Sequence, residues 1–118
     1  MALNRVRLAD IQEIAAAAAA LITNASGDKT WIRGILIHNG NAGAETVKLY
    51  NVPDSTGSVG TAADANKFFE EAIPTLENRY IDLPGPGILL TDTNDTIQGV
   101  TTTATKTTIQ FFGDTETP

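Results

Sequence analysis

The chain of 118 residues contains no cysteine, one histidine and one tryptophan, and only 6% of it is aromatic. Without cysteine there are no disulfides and no thiolate metal ligands. One histidine is too few for an ordinary zinc site. Nucleophilic catalysis needs a base held beside its nucleophile, yet His38 sits inside an apolar strand pattern and the chain has no Gly-x-Ser-x-Gly. Basic side chains are also scarce: 8 Lys and Arg against 14 Asp and Glu leave a net charge of -6. Binding to nucleic acid needs a basic face, so no nucleic acid partner is expected, and the acid excess suits a solvated outer surface. No apolar run approaches the ~20 residues that cross a bilayer, and no membrane partner is expected. The apolar stretch from Ala15 to Ile22 begins too late, and lacks the cleavage pattern, for a secretory signal.

What is present is threonine, asparagine and short apolar runs separated by most of the 10 glycines and 5 prolines. That composition reads as mainly β. A chain of this length forms one domain that buries roughly two thirds of its unfolded surface. The central stretch, Lys29 to Val52, reads as two strands joined by a Gly/Asn-rich connection, and therefore as a hairpin. In the first, Thr30 to Asn39, strict alternation puts Trp31, Ile35 and Ile37 on one side and Ile32 and Leu36 on the other. Both faces are apolar, as in a covered central strand. In the second, Val47 and Leu49 alternate with Thr46, Lys48 and Tyr50, the pattern of a sheet wet on one face.

Further strands are expected at Asn66 to Ile73, Leu76 to Leu83, Asp95 to Thr101 and Thr105 to Gly113, with a short apolar run at Ile88-Leu89-Leu90. Pro53 to Ala65 is a loop of a length that is usually functional or mobile. Pro84-Gly85-Pro86-Gly87 is a rigid connector, and Thr115 to Pro118 a polar tail. Seven or eight short strands at this spacing predict an all-β antiparallel sandwich, jelly-roll or Ig-like. The expected division is residues 1–14 as an N-terminal arm or short helix and 15–118 as one β-sandwich domain. Leu8, Ile11 and Ile14 have helical spacing, while an extended arm is the alternative. The six alanines at 15–20 favour a helix from about Asp10 to Ala20 by propensity, in conflict with the strand-like Leu21-Ile22-Thr23-Asn24 that follows.

The carboxylates suggest no active site. Glu70 and Glu71 are adjacent and would point to opposite sides of a strand, which is wrong for a glycosidase pair. Asp92-Thr93-Asn94-Asp95-Thr96 lacks the glycine and distal glutamate of a calcium loop and reads as an Asx-type turn. No catalytic residue, cofactor or metal ligand is assigned. Phe68-Phe69 and Phe111-Phe112 are adjacent pairs, so alternation sends one member of each to the core and the other outward. Phe69, Phe112 and Trp31, if uncovered, would mark a protein interface, together with an N-terminal arm carrying Arg5, Arg7, Leu8 and Ile11. A sugar-binding module using Tyr50 or Tyr80 as a stacking platform is an alternative of another class.

From about Ala18 to Glu116 the order of features resembles the small β-sandwich virion proteins of tailed bacteriophages. The features are Leu21-Ile22-Thr23-Asn24-Ala25, Gly27-Asp28-Lys29 leading into Trp31 to Asn39 and its Asn-Gly, and Thr46-Val47-Lys48-Leu49-Tyr50. A variable loop follows, then a strand near Leu76 to Leu83, the Gly87 to Asp95 connection and the terminal Gly113-Asp114-Thr115-Glu116. The resemblance implies a non-enzymatic structural protein made in the bacterial host cytoplasm and located in the virion. It would be a capsid decoration protein bound to the major capsid protein as a homo-oligomer, expected to be a trimer, or a tail, neck or fibre-adaptor subunit.

Overall fold

The computed structural model describes residues 2–118, with side chains from Leu8 onward. Ten strands are present among the described residues: β1 (Ala2–Arg7), β2 (Gln12–Glu13), β3 (Ala19–Thr23), β4 (Lys29–Asn39), β5 (Glu45–Val52), β6 (Lys67–Ile73), β7 (Asn78–Asp82), β8 (Ile88–Leu90), β9 (Thr96–Thr101) and β10 (Thr107–Thr117). Sheet A has the order β1-β10-β4-β7, with β2 also on β10 and β8 also on β4. Sheet B has the order β3-β9-β5-β6. Every pairing is antiparallel. Counting β1 with β2, and β7 with β8, as interrupted strands leaves four positions in each sheet. The chain then changes sheet at every connection but β5–β6. That is the double-sheet jelly roll, one of the two sandwich types expected.

The two inner faces meet in one core formed by Ile14, Ile22, Ile32, Ile35, Ile37, Val47, Leu49, Ile73, Leu90, Ile97, Ile109 and Phe111. Most of these come from period-2 positions, so the alternation in the sequence does specify the core. Of the two alternatives for the N terminus, the extended one forms. β1 pairs with β10 along its whole length, from Ala2 opposite Thr117 to Arg7 opposite Phe112. This also absorbs the expected polar tail, because β10 continues to Thr117. The alanine tract is not helical: Ala19 and Ala20 begin β3, and Ala15 to Ala18 form the exposed crossing from sheet A to sheet B. Helix propensity loses because Ile14 is drawn into the core and Ala15 accepts the Thr101 amide across the crossing, tertiary contacts that outweigh a few tenths of a kcal/mol per residue.

The expected central hairpin is a connection between sheets. β4 lies between β10 and β7, whereas β5 lies between β9 and β6. Their apolar residues face each other across the core and not along one sheet. Within β4, the register against β10 shifts between Phe112 and Gly113, leaving Arg33 as an extra residue. Such a bulge reverses the alternation. Thr30 and Ile32 point inward before it, and Ile35, Ile37 and Asn39 after it. Trp31 therefore parts company with Ile35 and Ile37 and joins Leu36 and His38 on the outside.

Candidate functional site

The outer face of sheet A gathers most of the exposed aromatic surface. Trp31 lies beside Leu89 on β8 and opposite Asp114 on β10. Leu36 lies between Tyr80 and Gln110, and Phe112 lies opposite Gly34. Tyr80 is 59% exposed and Leu89 44%. Gly34 has a specific purpose here: a Cβ at that position would stand 2.2 Å from the Tyr80 hydroxyl, so glycine leaves the space that the tyrosine ring occupies. The bulge aims Arg33 onto the same face, where its Nε pairs with the Asp114 carboxylate and its Nη1 donates to the Gly85 carbonyl at 3.2 Å. Asp114 is 2% exposed. A buried carboxylate needs such a partner. His38 hydrogen-bonds Asn78 on the neighbouring strand.

Sheet B differs. The loop expected to be functional or mobile folds back over one end of it. There Gln98 donates to the Gly60 carbonyl at 2.9 Å, and Tyr50 and Val52 are left 8% and 2% exposed. Tyr50 is thus removed as a stacking platform. The rest of that face is polar and holds a shallow depression of about 310 Å³ lined by Thr46, Lys48, Glu70, Val100, Thr101 and Thr102.

The two ends of the sandwich are also unlike. At one end lie the connections 15–18, 40–44, 74–77 and 102–106, whose only charged residues are Glu77 and Lys106; Glu77 pairs with Arg79 on β7. Two buried polar side chains tie these connections together. The Asn39 amide donates to the Gly43 carbonyl at 3.0 Å and the Ile73 carbonyl at 2.9 Å. The Glu45 carboxylate, 1% exposed, accepts from the Asn41 amide at 2.9 Å and from the Thr103 backbone at 2.8 Å. Burial pushes the Glu45 carboxyl upward, but the hydrogen bonds from Asn41 and Thr103 outweigh it and hold the group below its ordinary 4.5. Leu76, 69% exposed with φ +59°, forms the tip of one connection.

The opposite end carries the connections 24–28, 53–66 and 91–95, with Asp28, Asp54, Asp64, Asp92 and Asp95 and no Lys or Arg, while 83–87 interrupts the edge of sheet A level with Arg33. The expected Asx-type turn is there: Asp95 accepts from the backbone N–H groups of Thr91, Asp92 and Asp54. Among the described residues no group of three or more His, Asp or Glu is placed to hold a metal ion.

The residues singled out in the sequence separate accordingly. Trp31 and Phe112 come together on the outer face of sheet A. Phe69 does not: it lies opposite Leu49 and packs against the core, because the register shift near Phe68 gives both members of that pair inward contacts. Leu8 packs against the core as well, whereas Ile11 is 52% exposed. The backbone of β1 places Arg5 opposite Asp114 and Arg7 opposite Phe112; their side chains lie outside the described residues. Asn39 and Glu45 were not distinguishable in the sequence from ordinary residues at the end and start of strands.

No protein-family model matches this chain, and no curated protein matches it in sequence. Among solved structures, it is similar to a chain of the Bacillus endospore appendages, described as a novel family of disulfide-linked pili. The TM-score is 0.51 at 17% identity over 98% of this chain and 87% of that one. A chain of the infectious bursal disease virus Gt strain aligns at a TM-score of 0.36 and 9% identity, over 97% of this chain and 30% of that one. At such identities the first likeness is one of fold, and the present chain has no cysteine to form a disulfide.

Proposed function

We propose that this protein is a non-enzymatic structural subunit of a bacteriophage virion, in its most specific form a decoration protein attached to the major capsid protein as a homo-oligomer. The observation that carries the reading is the polarity of the sandwich. One end is nearly free of charge and is tied by Asn39 and Glu45 into a fixed surface, while the other presents four aspartates, Asp28, Asp54, Asp64 and Asp92, above a buried fifth, Asp95. A subunit seated on a large particle needs one end that meets protein without desolvating charge and another that stays hydrated and repels its neighbours. A preorganised loop surface lowers the ordering cost of docking, and several weak contacts made together by an oligomer resist release. The buried carboxylates support a structural reading too, since Glu45, Asp95 and Asp114 are occupied in holding backbone or an arginine.

Electron microscopy of particles produced by the cell that carries the gene tests this reading. The expected result is ordered density for this jelly roll on the outer shell, with its aspartate-bearing end toward solvent. Density in the neck or tail would move the subunit to that position, and absence from shell, neck and tail would overturn the reading.

A further inference from the structure

We infer that the outer face of sheet A is a self-association surface, on which a second copy of this chain packs face to face about a two-fold axis. The inference rests on the structural-subunit reading and names the partner of one surface.

Four observations converge on it. First, the chain covers its two sheets unequally. Sheet B is overlaid by its own loop at one end and is polar elsewhere, whereas Trp31, Leu36, Tyr80, Leu89 and Phe112 line the outer face of sheet A with no segment of the described chain over them. Aromatic residues are enriched, and charged ones depleted, at the centres of protein interfaces. Second, the missing side chain at Gly34 leaves room for the Tyr80 ring over the strand, so the tyrosine forms part of the face. Third, the face carries both signs in balance: Lys29 and Arg33, with Arg5 and Arg7 by the backbone register of β1, share it with Glu13, Asp82, Asp114 and Glu116, and Arg33 already closes on Asp114. In a molecule of net charge -6, this balanced face is one through which two identical copies can meet without a net like-charge repulsion. A two-fold contact places a patch against itself, so a face that carries both signs is what self-complementarity requires. Fourth, the size is adequate. Strands about 4.8 Å apart rising about 3.3 Å per residue give the 38 strand residues of sheet A a face of roughly 600 Å², at the lower end of the ~600–1,000 Å² per partner of a specific interface.

The test is sedimentation velocity of the full chain over a wide concentration range, with two variants on the face, Tyr80→Arg and Leu89→Glu. A control, Ala72→Glu, lies on the exposed outer side of sheet B. Both test residues are well exposed, so their variants fold, and circular dichroism verifies this. The expected result is a species of twice the 12.4 kDa chain mass whose dissociation constant rises at least about tenfold in each face variant and is unchanged in the control. A chain that stays monomeric throughout overturns the inference. So does an assembly, trimeric or otherwise, that tolerates both face variants or is equally sensitive to the control. Glycan binding by a monomer, lost in Tyr80→Arg, would assign the face to sugar instead. The two readings fail separately: a monomer that still decorates particles overturns only this inference, and a face-dependent dimer absent from every particle overturns only the virion assignment.

Discussion

Glu45 gives the most direct test of how the uncharged end is held together. Its carboxylate is buried at the start of β5 and accepts from Asn41 in one connection and Thr103 in another. Glu45→Ala removes the acceptor and strands both donors. Each donor left without a partner costs about 1–3 kcal/mol when buried. Both sites here are partly buried, so water recovers some of that and the expected loss is about 2–4 kcal/mol. That is a large share of the ~5–15 kcal/mol that holds an ordinary domain. The folded carboxyl titrates below its ordinary 4.5. It therefore contributes stability that is fully present above 4.5 and is lost as pH falls through the folded value. Urea unfolding of the wild type, Glu45→Ala and Glu45→Gln, at neutral pH and at several values below 4.5, measures both effects. The wild type should lose stability more steeply than Glu45→Gln on the acid side, since the amide cannot titrate. A loss below about 0.5 kcal/mol in Glu45→Ala, or equal acid slopes in the wild type and Glu45→Gln, would show that the carboxylate does not hold the loops and would refute the argument.

Two further outcomes are expected. Phe111 is fully buried and Phe112 is on the outer face, so Phe111→Ala should cost about 3–5 kcal/mol and Phe112→Ala about 1 kcal/mol; equal losses in denaturant titrations of the dilute protein would contradict the assigned alternation of β10. Gly87 has φ +76° and a Cβ there would stand 1.9 Å from the Ile32 carbonyl oxygen, whereas Gly57, at φ +88°, has open space around it. Gly57→Ala should lose only the left-handed strain of about 1–2 kcal/mol and Gly87→Ala clearly more, so identical melting temperatures would show that the close approach of the connector to β4 is not a constraint.

The alternating side-chain chemistry of the sequence determined that this is a sandwich of short strands and which residues of each regular strand share a face. Val47 and Leu49 are buried as expected, Phe111 and Phe112 separate as expected, and the turn around Asp92 to Asp95 forms where its polar residues predicted it. Alternation is a local property, and its reach ends there. It says that β4 and β5 each have an inner face, and nothing about whether those faces lie side by side in one sheet or opposite each other across a core. Only the closing of both sheets around Ile35, Ile37, Val47 and Leu49 decided that the connection after Asn39 crosses between sheets. The bulge at Arg33 was equally invisible, because an extra residue is defined by the partner strand, here Phe112 and Gly113 of β10. That bulge moves Trp31 outward and creates the aromatic face. The alanine tract shows the same limit from the other side, since its helix propensity is real but small beside the burial of Ile14 and the hydrogen bond from Thr101 to Ala15. The strands and their faces were thus written locally, while their neighbours, the bulges and the polar ties beneath the loops depend on contacts between residues far apart in the chain, which no local pattern records.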